Sequence, residues 1–331
     1  MSFKLSICIP TYNRKGFLKE AIDSILPQIN QGIELVISDN ASTDGTEEMT
    51  RLYQEHFHNI KYYRWQENVG ADRNYLKVIE LASGEYCWFL GSDDVIKEEA
   101  IKKVLQEIEN GDDIYIANRV ECDFHLQPKG ERLWLSSKVF DKTYNLTNKT
   151  ELIEYLNSAQ SVGAVFSYLS SIIFLREKWS KITVDEQFIG TAYVHVYMLL
   201  SFLRNYNNVT LKYIRNPLVL CRGENDSFLK NGKVNRFLLD LDGYSLLADK
   251  LFYDKDDVRK SFLSIMRREH TWRKILAIRI RVSDTMAWSS IQRKLDKYEY
   301  NYFFLRCIKN CRFILMGLYF LLKGKGVIVE K

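Results

Sequence analysis

Two adjacent aspartates, Asp93 and Asp94, stand just after the short apolar run 86–90. Two neighbouring carboxylates repel each other unless a cation joins them. Hard divalent ions prefer carboxylate oxygen, and Mg²⁺ or Mn²⁺ typically binds one or two carboxylates together with substrate phosphates. The pair therefore predicts a site for Mn²⁺ or Mg²⁺ that also holds a diphosphate. Asp94 would equally suit the start of a helix predicted over 97–109, since aspartate is a favoured N-cap residue.

Three further polar clusters follow apolar runs in the first 118 residues. They are Pro10-Thr11-Tyr12-Asn13-Arg14, the segment 39–45 that begins with Asp39, and the segment 68–74. A carboxylate such as Asp39 can accept a hydrogen bond from a nucleobase or a ribose. Neither GxGxxG nor GxxxxGK[ST] occurs, which argues against a dinucleotide fingerprint and a P-loop. A bound nucleotide is therefore expected to be held by side chains and by backbone at strand ends.

The elements that must position these clusters alternate regularly. Strands are predicted over 5–9, 33–38, 60–65, 86–90 and 114–117, and helices over 16–26, 46–57, 72–82 and 97–109. Strict alternation predicts right-handed βαβ units and a mostly parallel sheet. Ligands of open α/β sheets bind beyond the carboxyl ends of the strands, so the four clusters are expected to converge there. The alternative for each cluster is a turn or a helix N-cap.

The pattern loosens after residue 118. The run 133–140 suggests an excursion or hairpin, 170–175 a strand, and 193–203 a helix that carries His195. Strand-like runs at 209–214 and 218–220 end in Arg222 and the polar residues 223–227. Such a loop could close over a diphosphate with Arg222 donating charge-assisted hydrogen bonds, or it could be a surface turn. From about residue 235 onward the pattern is helical.

Composition sets the broad class. The 331 residues are 46% hydrophobic and 27% charged, which is typical of a globular chain of one large or two smaller domains. The six cysteines form no CxxC pair, so a zinc ribbon or a thioredoxin site is not expected. The first residues show no secretory signal pattern, and free thiols in a reducing cytosol are the simple interpretation.

At this point the motifs carry a resemblance. The segments 6–14 (SICIPTYNR), 38–46 (SDNASTDGT), 68–70 (NVG) with Arg73-Asn74, and 91–94 (GSDD) resemble family 2 glycosyltransferases of GT-A fold, over about residues 3–225. The segments 163–171, 190–196 and 221–228 are more narrowly similar to the abequosyltransferases of O-antigen assembly, which use a CDP-3,6-dideoxyhexose and a lipid-linked acceptor. The resemblance implies a GT-A catalytic domain over 1–230, with a nucleotide-binding half (1–118) and an acceptor-binding half (119–230). The helical pattern and the excess of cations predict a basic helical region over 231–331.

The family's roles transfer by position. The segment that lines the nucleotide pocket matches Pro10, Thr11, Tyr12 and Arg14. The resemblance implies that Asp39 reads the base and that Arg73 lies close to the nucleotide and diphosphate. It places Asp94 at the metal-ligand position and Asp93 nearer the ribose. Ser92 replaces the usual first aspartate of the acidic triplet, which puts the number of metal ligands in doubt.

The general base departs from the family pattern. Many members have Glu-Asp where this chain has Val194-His195. An imidazole with a pKa near ~6.5 can take a proton from an acceptor hydroxyl or ligate a metal, so His195 is predicted to be base or ligand. Asp185 and Glu186 are the competing bases. The QxxRW motif of processive synthases is absent.

The carboxyl-terminal region suggests a membrane surface. Residues 1–118 hold 12 Lys and Arg against 20 Asp and Glu, whereas residues 255–331 hold 18 against 7. Cations mix with aromatic and aliphatic residues over 267–281 and 302–322, and the apolar run 313–322 is too short to span a bilayer. These stretches suit a helix in the interface of an anionic leaflet, or helices packed on the catalytic domain or in a dimer contact. Nucleic acid is not expected as a partner.

The sequence therefore predicts a metal-dependent glycosyltransferase of surface-polysaccharide assembly, peripheral at the inner face of the cytoplasmic membrane. Its expected partners are a nucleoside-diphosphate sugar, with a CDP-sugar favoured, and a polyprenyl-diphosphate-linked glycan. A nucleotidyltransferase would need a Gly-rich loop after the first strand, which PTYNRKG lacks. The alternative from another class is a non-catalytic sugar-nucleotide-binding or scaffold subunit.

Overall fold

The computed structural model describes residues 3–225, 232–282, 284–300, 317, 320 and 321. The chain divides into two compact units, residues 1–225 and residues 226–331. The first unit contains a sheet and its flanking helices. Its strands are β1 (Leu5–Thr11), β2 (Ile33–Asp39), β3 (Ile60–Arg64), β4 (Tyr86–Phe89), β5 (Val95–Ile96), β6 (Ile114–Cys122), β7 (Pro128–Arg132), β8 (Lys142–Asn145), β9 (Ile172–Leu175) and β10 (Thr210–Cys221). Its helices are α1 (Lys15–Ile25), α2 (Thr46–His56), α3 (Ala71–Leu81), α4 (Ala100–Ile108), α5 (Lys149–Ser158), α6 (Arg176–Ser180), α7 (Val194–Leu200) and α8 (Phe202–Asn205).

The sheet has the order β3-β2-β1-β4-β9-β6-β10-β5, with β7 beside β6 and β8 beside β10. Pairing is parallel among β1 to β4, as the βαβ alternation predicted. The second half is mixed, because β9 runs antiparallel to both β4 and β6. Because β4 and β6 are both antiparallel to β9, they are parallel to each other. Strand β10 is parallel to β6, so β6 and β10 run in the same direction as β1 and β4. The carboxyl ends of all these strands therefore lie at one edge, which confirms the α/β fold.

Strand β1 lies in the interior of the first unit, with helices on both faces of the sheet. Every one of its side chains is buried, as expected for a strand covered by helices on both faces. Leu5, Ile7 and Ile9 belong to a core cluster that also includes apolar residues of α1, α2 and α4. The other face is covered by α3, which contacts β1 and β2. The two helical layers fix the strand ends, and so they fix the loops that follow them.

Several element predictions differ from the structure in detail. The run 133–140 is not a hairpin strand; the strands of that excursion are β7 before it and β8 after it. The two runs 209–214 and 218–220 form a single strand, β10, whose pairing with β6 shifts register between Ile214 and Val219. A bulge lets one strand continue across a break in apolar alternation. The helix expected over 193–203 is divided into α7 and α8 at Ser201.

The second unit is helical in its described part. Its helices are α9 (Gly232–Leu251), α10 (Asp256–Glu269), α11 (Trp272–Arg281) and α12 (Thr285–Lys297). Helix α9 contacts each of the other three. Ile275, Leu276 and Ile278 of the basic stretch are buried, and the Arg279 guanidinium stacks 5.1 Å from the Trp288 ring. The apolar face of α11 is thus packed inside this unit.

Among the described residues, no helix combines the length and the apolar character needed to cross a bilayer. Nearly all of the predicted interfacial stretch 302–322 lies outside the described residues.

Free thiols are found at Cys8, Cys87, Cys122 and Cys221.

Candidate active site at the carboxyl edge of the sheet

The loops after β1 and β2 are joined by hydrogen bonds. The Asn13 N–H donates to Ser42 Oγ at 2.8 Å, and the Thr43 N–H donates to Asn13 Oδ1 at 2.8 Å. Asn13 adopts a left-handed backbone with φ of 50°, a conformation that asparagine tolerates better than most residues. The structure therefore brings the first two predicted clusters together.

Asp39 is fully buried where β2 ends. Its Oδ1 accepts hydrogen bonds from the Ser42 N–H at 2.9 Å and the Ser42 hydroxyl at 2.5 Å. Its Oδ2 accepts from the Tyr62 hydroxyl at 2.6 Å. Burial, and then the bond to the Asp39 carboxylate, raise the pKa of Tyr62, which keeps the phenol a donor. The carboxylate is thus held at a fixed position, and a nucleobase would have to share or replace one of these donors.

The third cluster is tied to the second. Asn40 Nδ2 donates to Asn68 Oδ1 at 2.9 Å, and the Val69 N–H donates to Asn40 Oδ1 at 2.9 Å. Gly70 has a φ of 87° and precedes α3, so a side chain at this turn would be strained. The loops after β1, β2 and β3 therefore form one continuous polar rim.

The remaining predicted pocket residues differ in exposure. Pro10 and Thr11 pair with Ser38 and Asp39 in the sheet, so they lie at the strand ends. Thr11 Oγ1 is buried without a hydrogen-bond partner among the described residues, and the Tyr12 side chain is 45% exposed. An unpaired buried hydroxyl is uncommon in a folded chain, and it marks a polar position that a ligand or water can satisfy.

Asp93 is compensated by an arginine. Arg14 Nη1 lies 2.6 Å from Asp93 Oδ2, and Asn225 Nδ2 donates to the same oxygen at 2.8 Å. Arg14 Nη2 also donates to the Asn225 carbonyl at 3.0 Å. Three strand ends, those of β1, β4 and β10, therefore meet at Asp93. The fourth predicted cluster thus joins the first.

Asp94 is buried and lies deeper than Asp93. Its Oδ2 accepts from the Tyr168 hydroxyl at 2.6 Å and the Ser170 hydroxyl at 2.5 Å, and its Oδ1 accepts from the Arg222 N–H at 3.2 Å. Burial, and then the charge of Asp93, raise the pKa of Asp94 to about 6 against these hydrogen bonds. The carboxylate is therefore held ionised at neutral pH at a cost in free energy.

The Arg222 side chain is almost wholly buried and all three of its nitrogens donate. Nε donates to the Asp93 carbonyl at 3.0 Å, Nη1 to the Phe124 carbonyl at 2.7 Å, and Nη2 to Glu20 Oε2 at 2.7 Å. The guanidinium also stacks 4.9 Å from the Phe17 ring. In this arrangement Arg222 holds the Asp93 backbone in place, and each of its three side-chain nitrogens already has an acceptor within the protein.

Arg73, Asp185 and Glu186 stand at the outer side of the rim. Arg73 Nη2 lies 2.9 Å from Glu186 Oε2, and both side chains are largely exposed. Asp185 Oδ1 accepts the Gln187 N–H at 2.9 Å and so caps the short helical turn 186–188. The structure therefore brings Arg73 and Glu186 together.

His195 is buried in the first turn of α7. Its Nε2 donates to the Phe166 carbonyl at 2.9 Å, so the neutral ring carries its lone pair on Nδ1. Nδ1 is buried without a partner among the described residues, and the Tyr75 and Phe89 rings pack against the imidazole. Burial lowers the pKa of His195 to about 4. The residue is therefore a neutral imidazole that no solvent reaches in this conformation.

The carboxylate oxygens of Asp93 and Asp94 are the candidate ligands for a divalent cation. In the described part of the chain, no three His, Cys, Asp or Glu side chains group to hold a metal by themselves. Asp93 Oδ1 accepts no hydrogen bond from the described residues, and Asp94 carries an ionisation cost that a cation would relieve. Such a donor set fits Mg²⁺ or Mn²⁺ where phosphate and water supply the rest of the coordination.

Sequence reasoning missed four residues of this site. Tyr168 and Ser170 hold Asp94, Tyr62 holds Asp39, and Asp72 accepts the N–H groups of Gly190 and Ala192 at 2.8 and 2.9 Å. Asp72 thereby fixes the loop before α7. Asp72 carried a sequence signal, because it opens the α3 pattern inside a polar cluster, and Tyr168 and Ser170 lie in the segment 163–171 that carries the narrower resemblance. Their bonds, and that of Tyr62, depend on contacts between residues far apart in the chain.

Solved structures of low sequence identity share the fold. The chain superposes on residues 1–349 of S. aureus TarS in complex with UDP with a TM-score of 0.61 at 15% identity, covering 85% of this chain and 76% of that one. It superposes on the mannosyltransferase PcManGT of Pyrobaculum calidifontis, in complex with GDP-Man and Mn²⁺, with a TM-score of 0.54 at 13% identity, covering 98% and 88%. Together with the acidic pair at the end of β4, these matches define the GT-A class of fold.

Sequence comparison gives the family. Residues 6–163 match the model of glycosyl transferase family 2. The chain is 41% identical over 273 residues to the abequosyltransferase RfbV of Salmonella typhimurium, covering 81% of each protein. It is 28% identical over 204 residues to the GalNAc(5)-diNAcBac-PP-undecaprenol beta-1,3-glucosyltransferase of Campylobacter jejuni, covering 60% of this chain and 61% of that one. The chain belongs to glycosyl transferase family 2 and is a glycosyltransferase.

Proposed function

We propose that this glycosyltransferase moves a 3,6-dideoxyhexose such as abequose from its CDP-sugar to a lipid-linked oligosaccharide in O-antigen synthesis. One observation carries the proposal. The GT-A sheet edge joins Asp39, Arg14 and the Asp93-Asp94 pair in a chain that is 41% identical to an abequosyltransferase over four fifths of its length.

In this proposal the first four strand ends hold the donor. Asp39 reads the base, and the Pro10-Thr11-Tyr12 segment lines the nucleotide, where the Thr11 hydroxyl, which has no partner among the described residues, is available to it. Arg14 lies against Asp93 and can turn a guanidinium N–H to the diphosphate. Arg73 is exposed on α3 and adds positive charge beside the nucleotide. Arg222 acts by fixing the Asp93 backbone.

Asp93 and Asp94 would hold the divalent cation, with Asp93 Oδ1 as the oxygen that is free to bind it. When bound, such a cation stabilises the negative charge of a departing nucleoside diphosphate. Tyr168 and Ser170 keep the Asp94 carboxylate oriented by donating to one of its oxygens.

The acceptor hydroxyl must lose a proton, and the chain offers three candidates. His195 was predicted to be the base or a metal ligand, but the Tyr75 and Phe89 packing would have to open before its Nδ1 could be reached. Asp185 and Glu186 are the alternative bases, and the Glu186 carboxylate is the more accessible, with 69% of its side chain exposed. We assign the proton to Glu186, and His195 to positioning of α7 through its bond to the Phe166 carbonyl.

The acceptor is proposed to be a polyprenyl-diphosphate-linked glycan at the inner face of the cytoplasmic membrane. The relative from C. jejuni is named for an undecaprenol-diphosphate-linked substrate. In the described part of α11, Trp272 and the cations Arg273, Lys274 and Arg281 are exposed, which suits attraction to an anionic leaflet. Vesicles of anionic lipid should bind the full chain more tightly than neutral vesicles, and equal binding would remove the membrane part of the proposal.

A donor screen tests the function directly. The full chain is incubated with CDP-, UDP-, GDP- and dTDP-sugars and a polyprenyl-diphosphate glycan, and product is followed by mass spectrometry. Transfer from CDP-abequose above the other donors is expected. Transfer from a different nucleotide sugar alone would show that the proposed CDP-sugar donor is wrong, while leaving the family assignment intact.

Comparing Glu186→Gln with His195→Gln assigns the base. The variant that lacks the base should lose turnover with little change in donor affinity.

A further inference from the structure

Arg119 is an arginine of the site edge that the proposed roles leave unused. It lies in β6, whose carboxyl end shares the edge with β4 and β10. Its guanidinium carbon is 4.2 Å from the centre of the Tyr168 ring and 5.0 Å from that of Trp134. Both distances are within the range of a cation–π contact. The two rings therefore hold the guanidinium in place.

The Arg119 guanidinium retains unused hydrogen-bond donors. Among the described residues its Nε is buried without an acceptor, and its Nη2 makes a long ion-pair contact with Glu121 Oε1, at 3.4 Å. Arg14 and Arg222, by contrast, each have a carboxylate oxygen within 2.7 Å. A buried guanidinium N–H without an acceptor is costly unless a ligand satisfies it.

The position of Arg119 relative to Asp94 indicates what kind of ligand it would bind. The Tyr168 ring that packs on Arg119 donates its hydroxyl to Asp94 at 2.6 Å, and the positive charge of Arg119 acts to lower the pKa of Asp94. A phosphate oxygen brought to the acidic pair would therefore also lie near this guanidinium. Arginine is suited to such a ligand because its planar fork matches two phosphate oxygens at once.

We propose that Arg119 binds the diphosphate of the donor nucleotide, as a fixed positive charge held by the Tyr168 ring whose hydroxyl donates to Asp94. This inference rests on the proposed function, since it assumes that a diphosphate occupies the edge. Packing between Trp134 and Tyr168 orients the side chain before the ligand arrives, so little rotamer entropy is lost on binding. The same charge stabilises the leaving group as its bond to the sugar breaks.

The test measures binding by isothermal titration on the full chain, with CDP, cytidine and inorganic pyrophosphate as probes. Arg119→Met should weaken CDP and pyrophosphate roughly tenfold or more, the value of a charge-assisted hydrogen bond, and leave cytidine unchanged. Arg119→Lys keeps the charge without the fork and should lose less. Arg215→Met is the matched control, because Arg215 also stacks on an aromatic ring, 5.0 Å from Phe140, and donates to backbone carbonyls.

The outcomes separate the two proposals. If wild-type protein binds CDP and both Arg119 variants bind it equally well, the Arg119 assignment is wrong and the proposed function stands. If wild type binds pyrophosphate through Arg119 but binds no nucleotide, the proposed function fails and the anion site remains. Equal weakening in Arg215→Met would show a general loss of fold. Should Arg119→Met not fold, Arg119→Lys decides the question alone.

Discussion

Replacement of Asp94 by asparagine should make the unliganded protein more stable at neutral pH. The pKa of this carboxyl is raised from 3.8 to about 6, first by burial and then by Asp93. A carboxyl that binds its proton more tightly in the folded state lowers stability as pH rises from the unfolded to the folded pKa. A shift of roughly two units corresponds to about 3 kcal/mol at pH 7.5, since each unit is worth ~1.36 kcal/mol.

Asp94→Asn removes this charge with little change in volume. The variant should therefore gain up to about 3 kcal/mol in free energy of unfolding at pH 7.5, less any hydrogen bond that the amide makes poorly to Tyr168 or Ser170. The gain should shrink as pH falls through about 6 and vanish only below the unfolded pKa of 3.8, where Asp94 is protonated in both states. Urea unfolding of the full chain at pH 4, 5, 6 and 7.5 measures the trend.

Asp93→Asn is the matched control for the neighbouring position. It breaks the ion pair with Arg14 and the bond from Asn225, so it should lower stability at pH 7.5. The reasoning on Asp94 is refuted if Asp94→Asn is destabilised by the same amount at every pH, because its hydrogen bonds would then outweigh the cost of its buried charge. In a donor-binding assay Asp94→Asn should lose the cation-assisted part of the affinity for CDP, so its stability and its function would change in opposite directions.

Three more predictions come from the packing of the first unit. Asp72→Ala should lower the free energy of unfolding by roughly 1–3 kcal/mol, because the N–H groups of Gly190 and Ala192 would lose their acceptor; hydrogen exchange should locate the loss in residues 190–194. Gly163→Ala should cost about 1–3 kcal/mol in urea unfolding, since its methyl would lie 2.2 Å from the Trp134 ring, whereas Gly16→Ala meets no atom within 4 Å and should be neutral or stabilising. His195→Gln should lower the melting temperature while the pH dependence of turnover stays unchanged; a lost pH limb would instead identify the imidazole as the base.

Local pattern was sufficient for the first half of the fold. Helices α1 to α3 begin and end within one residue of their predicted bounds, because the apolar residues of each helix recur with helical periodicity over a continuous stretch of sequence. Helix α4 begins at Ala100, after β5, rather than at Lys97, because Val95–Ile96 pairs with β10. That pairing joins residues more than a hundred positions apart, and no local pattern carries it.

The same distinction applies to the site. The clusters after β1 to β4 were found because the carboxyl ends of parallel strands must share an edge. Their internal bonding was not predicted, and it decides chemistry: Arg222, expected as a candidate for the diphosphate, has every nitrogen engaged by the protein. Arg119 went unnoticed because its aromatic neighbours, Trp134 and Tyr168, come from other segments.

The geometry around Asp94 explains why a costly buried charge persists. Gly91 lets the chain turn so closely that a side-chain carbon there would lie 3.0 Å from Asp94 Oδ2 and 3.2 Å from Ser170 Oγ. A larger residue would push the carboxylate away from the hydroxyls that orient it, so the turn itself holds the charge in a poorly solvated position. Such an arrangement lowers the stability of the unliganded fold, and a bound cation and diphosphate would offset that cost. Ligand should therefore stabilise wild type more than Asp94→Asn, since only wild type has the cost to relieve.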